Sequence, residues 1–192
     1  MSPLVLYVHG FQSSPQSAKA QQCKKYLQRS SPELEFLAPQ IPSYPLQAIR
    51  LLKAIIERNA GRRVVLLGSS LGGYYALHLA QHFGLRAALI NPSIYPFKTI
   101  AQYLGPQINP YTNEQFTLQE RHISELQNMQ VRLQADEYQN FLLLLQTGDE
   151  TLDFTEASAY LCGARAIIEY GGNHSFVGFN RWLPEIMAFL DA

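Results

Sequence analysis

The chain has 192 residues, of which 47% are apolar and 16% are charged, a composition typical of one folded globular domain. The formal net charge is zero and basic residues form no cluster, which argues against nucleic acid or an anionic membrane as partner. No apolar run approaches the ~20 residues of a membrane span, so membrane insertion is not expected.

Short apolar runs alternate with stretches of helical periodicity along the whole chain. The predicted strands cover residues 4–8, 34–37, 64–67, 87–90, 141–145 and 166–169. Ser14 and Pro15 are expected to begin the first helix, and further helices are predicted from about residues 45, 71, 156 and 180. Because strands alternate with helices and hairpin signals are missing, we predict an α/β fold whose sheet is mostly parallel with helices on both faces.

One segment interrupts this alternation. Residues 92–140 are turn-rich and helical, and they separate the fourth predicted strand from the fifth. A segment this long in a small domain is more often functional than idle. We therefore expect a single domain over residues 1–192 with a small helical cap inserted at about 92–140.

The sequence around Ser70 carries the most specific motif. Residues 68–72 read Gly-Ser-Ser-Leu-Gly and lie between a predicted strand and a predicted helix. G-x-S-x-G in that context is the nucleophile elbow, in which a serine occupies a strained turn and its flanking glycines leave no room for side chains. Ser70 is the serine flanked in this way, so it is the candidate nucleophile.

Two backbone amides are candidates for an oxyanion hole. One belongs to Leu71, the residue that follows the nucleophile, and the other is assigned to Phe11 in the His9-Gly10-Phe11 turn after the first strand. His9 itself is interpreted as a histidine that hydrogen-bonds this loop rather than as a catalytic base.

An acid and a base follow the last two predicted strands. Asp149 comes directly after the fifth strand, and His174 lies in a glycine-rich loop after the sixth. The chain order Ser70, Asp149, His174 is the order that a serine hydrolase of this architecture requires. Asp153 is a competing acid and Glu150 a weaker one.

Other candidates are given structural interpretations or a lesser role. His78 and His82 lie four residues apart on a predicted helix, but a third metal ligand is not evident, so neither a metal nor a cofactor is expected. Arg121 and His122 are interpreted as surface residues. Residues expected to line an apolar acyl pocket, by their position in the sequence, are Phe11, Tyr44 and Phe176.

Several longer motifs resemble those of the small bacterial α/β-hydrolases of the YqiA type. They are HGFQSSPQSAKA, PQIPSYP, GSSLGGYYA, NPSIYPF, YLGPQINPYT, RHISEL, LLLQTGDETLDF and GGNHSFVGF. The resemblance runs along nearly the whole chain and implies an α/β-hydrolase fold with a Ser70–Asp149–His174 triad. It also implies a six-stranded sheet of order 2-1-3-4-5-6, with its topological switch point beside the amides of Phe11 and Leu71.

The predicted function is hydrolysis of a carboxylic ester through an acyl-enzyme, with a small-molecule acyl ester or thioester as substrate. A thioesterase is the alternative within enzymes, and a non-catalytic scaffold that binds a ligand or partner is the alternative outside them. The two cysteines, Cys23 and Cys162, are expected to be unpaired thiols, and a cytoplasmic location is expected. Nothing in the sequence indicates an oligomeric state.

Overall fold

The structure, a computed structural model, describes residues 2–191. Its eight strands are β1 (Leu4–Val8), β2 (Glu35–Leu37), β3 (Val64–Ser69), β4 (Ala87–Ile90), β5 (Gly105–Ile108), β6 (Gln115–Leu118), β7 (Phe141–Gln146) and β8 (Arg165–Glu169). Within the same residues, the α-helices are α1 (Ala18–Ser30), α2 (Pro45–Arg58), α3 (Leu71–Phe83), α4 (Pro96–Thr99), α5 (Glu120–Gln127), α6 (Phe154–Tyr160) and α7 (Leu183–Leu190).

Six of these strands form one parallel sheet of order β2-β1-β3-β4-β7-β8. This is the predicted order 2-1-3-4-5-6, and the α/β prediction is confirmed. The order reverses between β1 and β3, whose last paired residues are Val8 and Gly68. The loops that follow these two strands therefore diverge at the carboxyl edge, where open α/β sheets bind their ligands.

Both faces of the sheet are covered by helices, which explains why the strands are continuous apolar runs. In β1, Leu4, Leu6 and Val8 pack in a core shared with α2, α3 and α6, while Val5 and Tyr7 pack against α1 and α7 on the opposite face. Alternation of side chains along a strand produces this division. The two cores hold the edge of the sheet rigid on both sides.

The segment 92–140 differs from the prediction, because it contains an antiparallel hairpin as well as helices. Strands β5 and β6 pair with each other and not with the central sheet. Two features of the sequence are typical of a hairpin: Phe116 and Leu118 alternate with polar residues, and Asn109 is followed by Pro110, a pair that favours a turn. In the structure the Asn109 side chain accepts a hydrogen bond from the Tyr111 amide in that turn. Apolar residues of the segment pack in the same core as α2 and α3.

Three helix starts were predicted a few residues away from their true positions. One is that of α7, which begins at Leu183 rather than near residue 180 because a 3₁₀ turn, Phe179–Trp182, precedes it. Ser14 does not cap α1: its hydroxyl accepts from the Gln16 amide in a preceding turn, and the helix begins at Ala18. Helix α6 begins at Phe154, earlier than expected, because Asp153 caps it.

Within residues 2–191, no helix has both the length and the apolar character needed to cross a membrane. Cys23 and Cys162 are both free, as predicted.

Candidate active site

Ser70 occupies a strained turn between β3 and α3. Its φ and ψ are 56° and −125°, a region that residues other than glycine rarely adopt. Two backbone hydrogen bonds hold it there, one from the Ser70 amide to the Ile90 carbonyl (3.1 Å) and one from the Ser93 amide to the Ser70 carbonyl (3.1 Å). The turn therefore presents the serine side chain at the carboxyl edge of the sheet.

The flanking glycines are required by close backbone contacts. A Cβ at Gly72 would lie 2.0 Å from the Val8 carbonyl oxygen, and one at Gly68 would lie 2.5 Å from the Gly72 carbonyl oxygen. No side chain fits at either position without moving the backbone. The two glycines thus allow α3 to start directly against the ends of β1 and β3, as a nucleophile elbow requires.

The structure brings Ser70, His174 and Asp149 into one hydrogen-bonded chain. His174 Nε2 lies 3.0 Å from Ser70 Oγ, and His174 Nδ1 lies 2.8 Å from Asp149 Oδ2. The Asp149 side chain is only 2% exposed, whereas that of His174 is 24% exposed. This order of groups allows the imidazole to take a proton from the hydroxyl while the carboxylate orients the ring.

Asp149 is held as a charged acceptor by its surroundings. Besides His174, it accepts hydrogen bonds through Oδ1 from the amides of Thr151 (2.8 Å) and Leu152 (2.9 Å). Burial alone would raise the pKa of the carboxyl, but the hydrogen bonds from His174 and the two amides outweigh it and lower that pKa. Asp149 is therefore an ionised carboxylate at neutral pH.

The two competing acids have other partners. Asp153 accepts from the amide and hydroxyl of Thr155, at 2.9 and 2.7 Å, as the N-cap of α6. Glu150 accepts from the backbone amide of His174 at 3.0 Å and so supports the loop rather than the ring. Of the three acids, it is Asp149 whose carboxylate contacts the imidazole.

Asn91 and Gln146 hold the His174 loop, and neither was predicted from the sequence. Asn91 Nδ2 donates to the carbonyls of Asn173 and His174, and its Oδ1 accepts from the Gln146 amide. The buried Gln146 side chain accepts from the amides of Asn173 and Val177. A polar residue at the end of an otherwise apolar strand was the signal available for each, at the ends of β4 and β7.

The amides of Phe11 and Leu71 belong to the two loops that meet beside the nucleophile. Leu71 is the first residue of α3, so its amide has no partner inside the helix. Within residues 2–191 neither amide donates a backbone hydrogen bond. A Cβ at Gly10 would lie 3.1 Å from Ser70 Cβ, which shows how closely the β1 loop approaches the serine.

A cleft of about 220 Å³, lined by both apolar and polar residues, opens at Ser70 and His174. Its wall comes from the β1 loop, the start of α3, the first part of the segment 92–140 and the loop after Asp149, and its apolar residues are Phe11, Leu71, Pro96, Ile100, Tyr103 and Leu152. We call it the acyl cleft. The later part of the segment packs against α2 and α3 instead, where Leu126 O accepts from the Tyr74 hydroxyl.

Two of the three residues expected in the acyl pocket lie elsewhere. Tyr44 stacks beside His122, at 4.8 Å between ring centroids, and its hydroxyl accepts from the Thr117 amide, so it anchors the hairpin. Phe176 is 2% exposed and packs against Phe179 on the α1 and α7 side of the sheet. Only Phe11 of that set lines the cleft, because sequence position does not reveal which way a loop side chain turns.

Three of the four other histidines have hydrogen-bond partners, and the fourth, His82, stacks with His78. His9 is buried, with Nδ1 2.9 Å from the Gly10 carbonyl and Nε2 accepting from the Ile41 amide, and burial lowers its pKa. His78 bonds to the Met129 carbonyl. His122, expected at the surface, is buried and accepts from the Gln119 amide in the capping box of α5. No group of three or more His, Cys, Asp or Glu residues is placed to bind a metal within residues 2–191.

The sheet order, the elbow and the edge site together define an α/β-hydrolase fold. Solved structures with this architecture match nearly the whole chain. A hydrolase from Agrobacterium vitis is 14% identical, with 98% of this chain and 88% of that chain covered and a TM-score of 0.74. Est1E from Butyrivibrio proteoclasticus is 12% identical, with 99% and 86% covered and a TM-score of 0.74. Mouse alpha/beta hydrolase domain-containing protein 10 is 15% identical, with 100% and 90% covered and a TM-score of 0.72.

The chain belongs to the Uncharacterised protein family UPF0227, the YqiA family, whose pattern matches residues 4–191. This confirms the family resemblance drawn from the motifs. The match includes every residue of the candidate site.

Proposed function

We propose that the protein is a serine esterase that cleaves carboxylic esters through an acyl-enzyme. The observation that carries the proposal is the hydrogen-bonded chain from Ser70 Oγ through His174 to the buried Asp149 carboxylate. A scaffold that only binds a ligand has no need of a strained serine, an imidazole within 3.0 Å of it and an ionised carboxylate behind that ring.

In the first half of the reaction, Ser70 Oγ attacks the ester carbonyl carbon while His174 Nε2 takes the hydroxyl proton. The negative charge that develops on the carbonyl oxygen is stabilised by the amides of Phe11 and Leu71. The carbon–oxygen bond to the alcohol then breaks, and His174 returns the proton to the departing alcohol. Ser70 is left esterified with the acyl group.

In the second half, water replaces the alcohol. His174 takes a proton from the water as the water oxygen attacks the acyl-enzyme, and it then gives that proton to Ser70 Oγ as the acid leaves. The buried Asp149 keeps the imidazole in the tautomer that both steps need. The acyl cleft contains six apolar residues and no lysine or arginine within the described residues, so it can accept an uncharged acyl chain.

Replacement of the nucleophile is the direct test. Ser70→Ala should lower the turnover of para-nitrophenyl butyrate by on the order of 10⁶ and abolish labelling by a fluorophosphonate, because both need the serine oxygen. Ser31→Ala, at the far end of α1, is the matched control and should keep both. A butyryl thioester measured beside the ester compares the two substrate classes.

Labelling that persists in Ser70→Ala would contradict the assignment of the nucleophile. A folded wild type that is neither labelled nor active on either substrate would contradict the proposed function and favour a binding scaffold. Circular dichroism of each variant checks that it is folded.

A further inference from the structure

A second cleft shares Ser70, His174 and Phe11 with the acyl cleft and is otherwise lined by different residues. It also encloses about 220 Å³, and its remaining wall comes mainly from the end of β1, the start of α1 and the hairpin turn. We call it the Lys19 cleft. Its character is polar: hydroxyl groups and one lysine line it, and no Asp or Glu side chain does so within the described residues.

Lys19 is the cation of this cleft. Its Nζ donates to the Ser175 carbonyl at 3.1 Å, and no ion pair joins it to a carboxylate in the part of the chain that the structure describes. Burial lowers the pKa of Lys19 to about 8, although the charge of Asp149 acts in the opposite direction. An ammonium that has lost part of its water and has no anionic partner attracts an anion more strongly than a fully hydrated one.

Three further groups make the same cleft favourable to negative charge. Ser17 Oγ is buried beside the Tyr7 hydroxyl, and Ser17 is the N-cap residue of α1 but makes no side-chain capping hydrogen bond. Tyr7, 1% exposed, is kept a neutral phenol because burial raises its pKa, so its hydroxyl can donate. Helix α1 starts at the cleft wall and has no acidic residue in its first turn, which leaves the positive end of its dipole uncompensated.

We propose that the Lys19 cleft binds an anionic group, a carboxylate or a phosphate, on the alcohol part of the ester. The inference rests on the proposed function, since it assigns the two clefts to the two sides of the scissile bond. Neither lysine nor arginine lines the acyl cleft within the described residues, so that cleft is assigned to the uncharged acyl chain. The Lys19 cleft remains for the alcohol, close to the imidazole that protonates the departing oxygen. Lys19 then determines specificity for esters whose alcohol or phenol part carries a carboxylate or a phosphate.

The test compares esters that differ only in charge. The first pair is para-butyryloxybenzoate and its methyl ester, which place a charged or a neutral group on the leaving phenol. The second pair is the mono-para-nitrophenyl ester of adipic acid and para-nitrophenyl hexanoate, which place the charge on the acyl side instead. Each is measured with wild type, Lys19→Gln, Lys19→Arg and the control Lys24→Gln, an exposed lysine on the same helix.

We expect Lys19→Gln to lower kcat/KM for para-butyryloxybenzoate about tenfold or more, mainly through KM, and to leave its methyl ester within about twofold. Gln keeps a donor for the Ser175 carbonyl, so the His174 loop should stay in place. Lys19→Arg should retain most of the preference for the charged butyryl ester over its methyl ester, and Lys24→Gln should retain all of it. The kcat/KM values for the adipate and hexanoate esters should change little in any variant.

Three results would overturn the inference while leaving the esterase proposal intact. An equal loss on the charged and neutral butyryl esters would mean that Lys19 acts by supporting the His174 loop. An unchanged kcat/KM for both butyryl esters would mean that Lys19 does not contact the substrate. A loss confined to the adipate ester would place the anion on the acyl side.

A direct binding measurement separates this inference from the proposed function. Calorimetry of benzoate with wild type and Lys19→Gln should show weaker binding to the variant, whether or not the protein hydrolyses esters. Benzamide, the neutral counterpart, should bind the two proteins equally. Equal benzoate affinities would exclude the anion site.

Discussion

The proposed chemistry depends on the Asp149 carboxylate, which accepts the hydrogen bond from His174 Nδ1. Asp149 Oδ1 is committed to two backbone amides, so Oδ2 is left facing the imidazole Nδ1. That arrangement orients the ring and selects the tautomer whose Nε2 can accept the Ser70 proton. Asp153, four residues further on, has no such contact, since it caps a helix.

We predict that Asp149→Asn lowers kcat on para-nitrophenyl butyrate by about 10⁴, while Asp153→Asn leaves kcat nearly unchanged. The amide oxygen of the substituted side chain would keep the bonds from the two backbone amides, and its NH₂ group would then face Nδ1 and stabilise the wrong tautomer. Asn is also a good N-cap, so the control keeps α6. Steady-state kinetics of the two variants decides the point, and a large loss in Asp153→Asn alone would reverse the assignment of the acid.

At the scale of elements, the junction of β1, β3 and α3 makes the site possible. Helix α3 starts so close to the end of β1 that only glycine fits at position 72. The same closeness places the Gly10 turn against Ser70, and Phe11 and Leu71 both line the acyl cleft beside it. The catalytic geometry and the packing of the elbow therefore depend on the same contacts.

Gly72→Ala should lower the free energy of unfolding by about 3 kcal/mol or more, because the new Cβ meets the Val8 carbonyl oxygen at 2.0 Å. A loss of stability would be the opposite of the usual effect, since replacing Gly by Ala inside a helix ordinarily stabilises the helix by about 1 kcal/mol. Gly61→Ala is the control: a Cβ there meets nothing within 4 Å, so the stability should be unchanged or slightly higher. Urea unfolding measures both, and a neutral Gly72→Ala would show that the elbow can relax.

Across the whole fold, the Glu169 carboxylate connects the sheet by hydrogen bonds to the segment that precedes α7. Glu169, at the end of β8, accepts hydrogen bonds from Arg181, from Trp182 Nε1 (3.0 Å) and from Gln146 Nε2 (2.7 Å). Burial would raise its pKa, but these donors outweigh burial and lower it. Glu169 therefore binds a proton less readily in the folded protein than in the unfolded chain. Its contribution to the free energy of unfolding is fully present above the pKa of an ordinary glutamate, and it is lost as the pH falls through the lowered pKa of Glu169 in the folded protein.

Glu169→Gln should therefore lower the free energy of unfolding by about 1–2 kcal/mol at neutral pH, and the difference from wild type should shrink in acid. Chemical denaturation at a series of pH values from neutrality down to about pH 3 provides the measurement. Glu33→Gln, which removes an exposed carboxylate, is the control and should track the wild type throughout. A difference that stays constant with pH would show that the lost interaction is not that of an ionised Glu169.

Local and periodic features were sufficient to predict the order of the main elements, the elbow at Ser70 and the candidates Asp149 and His174. Apolar runs, helical spacing and the glycines around Ser70 are patterns of residues close together in the chain, so they can be recognised in the sequence alone. The α/β fold predicted from them is confirmed, as is the strand order that the family resemblance implied, and the roles of the site residues stay predictions. The hairpin β5–β6 was missed because its strands are short and half-buried.

Only the tertiary structure decided which side chains turn toward the cleft. Tyr44 and Phe176 were expected at the substrate and instead anchor the hairpin and the His174 loop, while Asn91, Gln146 and Lys19 reach the site from distant parts of the chain. Their positions follow from how loops after separate strands pack against one another, and that packing depends on contacts between residues far apart in sequence. The elements and their reactive groups follow from local sequence, whereas the two clefts, of which one contains Lys19, form only when those elements pack at one edge of the sheet.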